Sequence, residues 1–78
     1  MTQASPRDPD SVYRVVQLVA THPQSWEAAA AAAIDEATKT ISDLRVAEVV
    51  EMDVLIEDGR VLAYRAKVRL SYKAAGVA

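Results

Sequence analysis

The chain has 78 residues, and its nine Lys and Arg against eleven Asp and Glu leave a net charge of −2, which argues against a protein that neutralises nucleic-acid phosphates. The absence of cysteine excludes disulfides and cysteine-ligated zinc, and 51% hydrophobic residues are too many for a disordered chain. The longest apolar run, Ala28 to Ile34, is far shorter than the roughly 20 residues that cross a bilayer.

The chain begins with a polar segment, residues 1–11, that contains Pro6, Pro9 and three charged side chains. We expect a disordered tail there, one domain over residues 12–73, and a flexible tail over 74–78. A domain of about 60 residues buries only about 60% of its unfolded surface and is marginal alone. Because disulfides are excluded, self-association is the remaining way to gain burial. No secretory signal pattern precedes the domain, so a cytoplasmic location is expected.

The first predicted element is a strand over residues 12–19, because VYRVVQLV is rich in β-branched residues. A loop is expected over 20–24, where Pro23 disfavours helix at the preceding residue. The strand is apolar on both sides, which predicts burial on both sides and again favours an assembly.

The second element is a helix predicted from Trp26 to Asp43. Ser25 is a favourable N-cap, Glu27 complements the helix dipole, and six consecutive alanines have the best helix propensity. Apolar residues recur at three- and four-residue spacing and form one stripe. Its small side chains predict a helix that lies close to a sheet.

Two alternating segments follow, residues 46–56 and 61–72, and predict a β-hairpin around Glu57-Asp58-Gly59-Arg60. If the even-numbered residues of both strands face the helix, the loop between them has an odd length. A three-residue loop with a left-handed Gly59 satisfies this condition. Two registers remain open, with either Glu51 or Asp53 opposite Arg65; each forms opposite-charge pairs, worth roughly 0.2–1 kcal/mol apiece.

Carboxylates on the second strand are candidate ligands of a hard cation, since Ca²⁺ prefers oxygen donors. These candidates are Glu48, Glu51 and Asp53. The alternative is that they pair with Arg65 and Lys67, and the sequence favours this for a single chain.

No arrangement typical of an active site is visible, which predicts a non-enzyme. His22 and Ser25 lack a third orienting group, and a surface-loop role and a capping role explain them better. The only glycines, Gly59 and Gly76, form no phosphate-binding loop. Trp26 is interpreted as an apolar anchor that seals the start of the helix against the sheet.

Taken together, four segments resemble the dodecin family. In chain order they read VYRVVQLV, HPQSWEAAAAAAI, ATKTISDLRVAEVVEMDV and EDGRVLAYRAKVRLSYK. The resemblance implies an α+β fold: a β-α-β-β protomer whose three-stranded antiparallel sheet wraps one helix. It also implies a hollow homododecamer that stores a small ligand without catalysis, with no nucleic acid or membrane as partner.

Dodecins that bind flavin (FMN or riboflavin) have a Trp that stacks on the ring and a Gln that hydrogen-bonds its edge. The resemblance places these positions at Val46 and Arg65, so both signature residues are replaced here. The neighbouring Arg45 and Glu48 complete the candidate flavin site. Valine offers only aliphatic contact and arginine has no acceptor, so the usual sandwich is weakened.

The combination of SWE at the helix start and RVA at the second strand is more similar to the calcium dodecin branch. That branch implies a similar shell whose ligand is Ca²⁺. Three hypotheses therefore stand: flavin storage at the level of the family, calcium binding, and a structural assembly without either ligand.

Overall fold

A computed structural model describes residues 12–74 of the chain. The elements follow the order β1 (Tyr13–His22), α1 (Trp26–Thr38), β2 (Leu44–Glu57) and β3 (Arg60–Lys73). The three strands form one antiparallel sheet in the order β1-β3-β2, with the last strand in the centre. This confirms the predicted β-α-β-β protomer with a three-stranded antiparallel sheet. Both predicted tails lie outside the described residues except Ala74, which is buried and donates a backbone hydrogen bond to the Val12 carbonyl at 3.0 Å.

The helix packs on one side of the sheet through alanines. Its buried residues Ala29, Ala33 and Ala37 meet the fully buried Ala66, Val68 and Leu70 of β3. Alternate residues of a strand lie on opposite faces. Even-numbered residues of β3 therefore form the helix face of the sheet, and Arg65, Lys67 and Arg69 lie on the opposite face, here called the outer face.

Strand β1 is longer than expected and corrects the loop predicted over residues 20–24. Thr21 and His22 continue the strand, opposite Arg65 and Tyr64 of β3. Proline disfavours helix at the residue before it but favours extended backbone there, so Pro23 ends the strand rather than preventing its last residues.

Helix α1 is shorter than expected, ending at Thr38 rather than at Asp43. The N–H groups of Thr40 and Ile41 both donate to the Ala37 carbonyl, at 3.2 and 2.9 Å, and close the last turn. Leu44 already pairs with Tyr72 in the sheet, so the chain must reverse direction over residues 39–43. Ile41 still packs against the core, which explains why the apolar stripe continued beyond the helix in the sequence.

The hairpin turn has two residues rather than the predicted three. Glu57 pairs with Arg60, and the residues between them both have positive φ, 53° at Asp58 and 73° at Gly59. Such a pair is typical of a tight type I′ turn. Even-numbered residues of the two strands still pair with each other beyond the turn, but the reason is a bulge rather than the loop length. The bulge lies at Leu62, which has no partner between the pairs Ile56–Val61 and Leu55–Ala63.

We expect Gly59→Val to destabilise the protein by about 1–2 kcal/mol, because left-handed backbone is costly for a residue with a Cβ and most costly when that Cβ is branched. No atom lies within 4 Å of a Cβ placed at this position, so the effect is conformational rather than steric. Thermal unfolding measures it. Asp58→Gly is the matched control and should unfold at the parent temperature or above; equal stability of Gly59→Val and the parent would contradict the turn geometry.

Candidate functional site

The outer face carries a ladder of three ion pairs between β2 and β3. Asp53 accepts two hydrogen bonds from Arg65, at 2.7 and 2.8 Å. Lys67 Nζ lies 2.9 Å from a carboxylate oxygen of Glu51. The third pair joins Arg69 to Glu48 at 3.2 Å. Of the two registers that the sequence left open, the one with Asp53 opposite Arg65 and Glu51 opposite Lys67 is confirmed.

A bulge in β2 places Glu48 in this ladder and corrects the predicted face of that strand. Val49 pairs with Val68 and Glu51 with Lys67, so Val50 has no partner and the alternation of β2 reverses there. Glu48, expected on the helix face with the other even residues, lies on the outer face instead. Its partner Arg69 was missed because the bulge depends on packing and leaves no mark in the alternation.

The three carboxylates form a row along the outer face. Their partners on β3 are two residues apart, which corresponds to about 6–7 Å along a strand. No group of three acidic or histidine side chains within residues 12–74 converges on a common point as metal ligands would. The row is therefore not a closed metal cage within one protomer, and Glu48, Glu51 and Asp53 stay predicted ligands.

The strongest pair of the ladder perturbs the ionisation of both partners. Hydrogen bonds from Arg65 hold the pKa of the Asp53 carboxyl below its ordinary value, although partial desolvation acts in the opposite direction. The same hydrogen bonds raise the pKa of Arg65. Both groups keep their charges throughout the neutral range.

This pairing predicts an acid-sensitive contribution to stability. Because the pKa of Asp53 is lower in the folded than in the unfolded state, the pair stabilises the fold above the unfolded-state pKa of about 3.9. The contribution is lost as the pH falls through the lower, folded-state pKa. We expect Asp53→Asn to show a smaller drop in melting temperature on acidification than the parent. Asp35→Asn, an exposed helix position, is the control; an unchanged pH profile for Asp53→Asn would contradict the role of the pair.

A shallow depression of about 360 Å³ lies beside the ladder. It is lined by Val19 of β1 together with Glu51, Asp53, Arg65 and Lys67. The depression thus contains two of the predicted metal ligands and one predicted flavin contact. Its lining combines two carboxylates, two cationic groups and an aliphatic surface.

The other predicted flavin contacts lie at the far end of the outer face. Val46 pairs with Ser71, whereas Arg65 is six residues away along β3, or about 20 Å. Arg45 lies in a bulge beside Val46 and binds Asp43 at 2.8 Å. One protomer therefore does not bring Val46 and Arg65 to a single ligand, and only different copies could do so.

The remaining residues singled out from the sequence have structural contacts. Trp26 Nε1 donates a hydrogen bond to the Asp53 carbonyl at 2.9 Å, and its ring meets the Tyr64 ring edge-on with centroids 5.0 Å apart. This is the anchor expected at the start of the helix. Ser25 Oγ accepts the Ala28 N–H at 3.0 Å as N-cap, and His22 Nδ1 accepts the Gln24 N–H at 3.1 Å.

Comparison with known proteins decides the family. The dodecin family model matches residues 12–75. The chain belongs to the dodecin family. It is 41% identical over 63 residues to the calcium dodecin of Mycobacterium tuberculosis, covering 81% of this chain and 89% of that protein.

Solved dodecin structures share the fold. The dodecin of Streptomyces coelicolor superposes with a TM-score of 0.80 at 28% identity, over 86% of this chain and 96% of that one. The calcium dodecin of M. tuberculosis, described as calcium-chelating with a calcium-binding site, gives 0.75 at 39% identity over 87% and 97%. The resemblance identified from the sequence is thus confirmed for family and fold.

The descriptions of the family and of the calcium dodecin name no catalytic activity. Within the described part of the chain, no helix combines the length and apolar character needed to cross a membrane.

Proposed function

We propose that this dodecin is a non-catalytic binding protein that assembles into a homododecamer and takes up Ca²⁺ on its outer sheet faces. The observation that supports the ligand is the row of carboxylates on β2 in a chain 41% identical to a calcium dodecin. A cytoplasmic location stays a prediction of the sequence.

Self-assembly is supported by the distribution of apolar side chains. The buried apolar residues of the described chain are five alanines, one valine and one leucine, whereas ten large apolar side chains are exposed. A protomer with its larger apolar side chains outside needs copies of itself to bury them.

Calcium binding requires more oxygen ligands than the outer face of one protomer can bring together. Ca²⁺ takes six to eight oxygens, and each carboxylate has about four acceptor positions, of which an ion pair uses one or two. Glu48, Glu51 and Asp53 therefore keep acceptor capacity beside their cationic partners. Symmetry-related rows that approach one another in the assembly would supply the remaining ligands.

Flavin, as FMN or riboflavin, is the second candidate, and the exposed apolar surface at Val46 favours it. This side chain is 37% exposed on the outer face, where the resemblance places the stacking position. Aliphatic contact gives weaker binding than a ring, because valine has no face on which a flavin can stack. Glu48 lies next to it on the same face, in an ion pair with Arg69.

Native mass spectrometry of the purified protein tests both the assembly and the ligand. Twelve copies of the 8.4 kDa chain would give about 101 kDa, with mass increments for bound ligand. The protein is then titrated with Ca²⁺, with EDTA and with riboflavin, and its melting temperature is followed. We expect a dodecamer that Ca²⁺ stabilises. Free Ca²⁺ at 100 times its Kd would add about 2.7 kcal/mol per site to the free energy of unfolding.

The matched control for the ligand is the variant Glu48→Gln/Glu51→Gln/Asp53→Asn, which keeps size but removes the charges. It should lose the response to Ca²⁺. If the parent dodecamer responds to riboflavin but not to Ca²⁺, flavin rather than calcium is the ligand. If it responds to neither, the protein is a structural assembly without either ligand. A monomeric parent would contradict the proposed function altogether.

A further inference from the structure

An apolar groove lies on the helix face between α1 and β2. It measures about 400 Å³ and is lined by Trp26, Glu27, Ala30, Val49 and Met52. The helix packs mainly on β1 and β3 and leaves two side chains of β2 largely uncovered: Met52 is 58% exposed and Val49 is 46% exposed. Ala30 has a small side chain, so the groove stays open between the two elements.

The tip of the β2-β3 hairpin presents a second apolar surface. Ile56, Val61 and Leu62 are 66%, 52% and 55% exposed. Ile56 and Val61 are cross-strand partners and therefore share a face. The alternation of β2 places Ile56 on the same side of the sheet as Met52, which is the helix face. The tight turn at Asp58 and Gly59 holds the ends of the two strands together beside this surface.

The groove cannot be filled by the tip of its own chain. Met52 pairs with Ala66, which is four residues from Leu62, or about 13 Å along an extended strand. Groove and tip nevertheless lie on the same side of the sheet, one beyond the other along β2. Two copies that face each other with antiparallel β2 strands would place each tip over the other's groove at once, as in a two-fold contact.

The charges of the two surfaces are complementary at one point. Glu27 lines the groove and Arg60 follows the turn at the tip, and neither forms an ion pair with another residue of the described range 12–74. Glu57 and Asp58 are acidic, so the tip is not positively charged overall. The charge complementarity is therefore limited to one contact, between Arg60 and Glu27. A second copy of this chain therefore supplies both the apolar surface and the cation that the groove lacks.

We propose that the hairpin tip of a second copy docks into the groove between α1 and β2, reciprocally, with Arg60 of one copy facing Glu27 of the other. This contact rests on the self-assembly proposed above and assigns it a specific surface. It buries Trp26, Met52 and Ile56 together and joins protomers in pairs within the larger assembly.

Disulfide trapping in the full-length chain tests this contact, because the chain has no cysteine of its own. The variant Ala30→Cys/Leu62→Cys places one thiol in the groove and one at the tip. A disulfide needs Cα atoms within about 7 Å, which the separation along one chain excludes. We expect mild oxidation to give covalent dimers on a non-reducing gel that disappear on reduction. Val49→Cys/Val61→Cys provides an independent pair that keeps Glu27.

The matched control, Ala30→Cys/Val15→Cys, carries its second thiol on the exposed outer face of β1 and should give few dimers. No excess of dimers over this control for either pair would overturn the proposed contact. Covalent ladders longer than dimers would overturn its two-fold reciprocity. Native mass spectrometry of the parent separates these results from failure of the proposed function, since an intact assembly without cross-links overturns only the contact.

Discussion

Replacing Leu70 by alanine is expected to lower the free energy of unfolding by about 2–5 kcal/mol, the range for leucine truncation in a core. Leu70 is fully buried and is the largest side chain in the core. The buried helix residues of this core are alanines, whose short side chains cannot move in to fill the cavity. We expect the cost in the upper part of this range and a fall in melting temperature of about 4–8 °C per kcal/mol.

Chemical and thermal unfolding followed by circular dichroism measures this effect, and Leu62→Ala is the matched control. Leu62 is 55% exposed in the protomer, so its truncation leaves no cavity in the core. Its effect should be smaller and should depend on protein concentration, because it acts through contacts between copies. Equal losses for the two leucines at every concentration would contradict the position of the core.

The second large effect is a gain of flavin binding in the variant Val46→Trp/Arg65→Gln. Stacking a flat heteroaromatic ring on an aromatic side chain is worth about 1–3 kcal/mol. We therefore expect the affinity for riboflavin to rise about 10- to 100-fold, measured by quenching of flavin fluorescence. The restored glutamine supplies both a donor and an acceptor for the ring edge, which arginine does not.

The two single variants and Val46→Leu serve as controls for this gain. Positions 46 and 65 are about 20 Å apart within one protomer, so they can act on one flavin only when different copies contribute them. The double variant should then exceed the sum of the single ones by a coupling free energy. Val46→Leu adds aliphatic surface but no ring and should change the affinity little. A double variant no better than the parent would mean that the assembled face has no flavin-shaped cleft.

The ion-pair ladder places carboxylates and cationic side chains next to one another on the outer face, so a charged ligand there meets groups that are already paired. Each carboxylate of the row already has a cationic partner on β3 at 2.7–3.2 Å. A bound divalent cation would share or displace these partners, so its affinity should depend on pH and on salt. Since the pairs are partly exposed, their own contribution to stability is small.

Much of the fold could be predicted from local chemistry. Ser25, Glu27 and the alanine run specify where the helix begins, because capping and propensity act within one turn. Alternation in β3 indicated which of its faces meets the helix, and Asp58-Gly59 indicated the hairpin. The positions of opposite charges on β2 and β3 limited their register to two possibilities, and the structure contains one of them.

Other features depend on contacts between distant parts of the chain. The ends of β1 and α1 were predicted wrongly, because pairing with Tyr64 and Arg65 extends the strand and pairing of Leu44 with Tyr72 shortens the helix. The bulges at Val50 and Leu62 shift the alternation without any change in residue pattern. The candidate site was affected most, since the Val50 bulge moves Glu48 to the outer face and beside Arg69.

The sequence by itself determined the family and the order of the elements, because these follow from motifs and periodicity. Only the tertiary structure decided which carboxylates share a face, which cation each one holds, and that Val46 and Arg65 lie far apart. These features depend on strand register and bulges, which are set by packing across the sheet and not by neighbours along the chain.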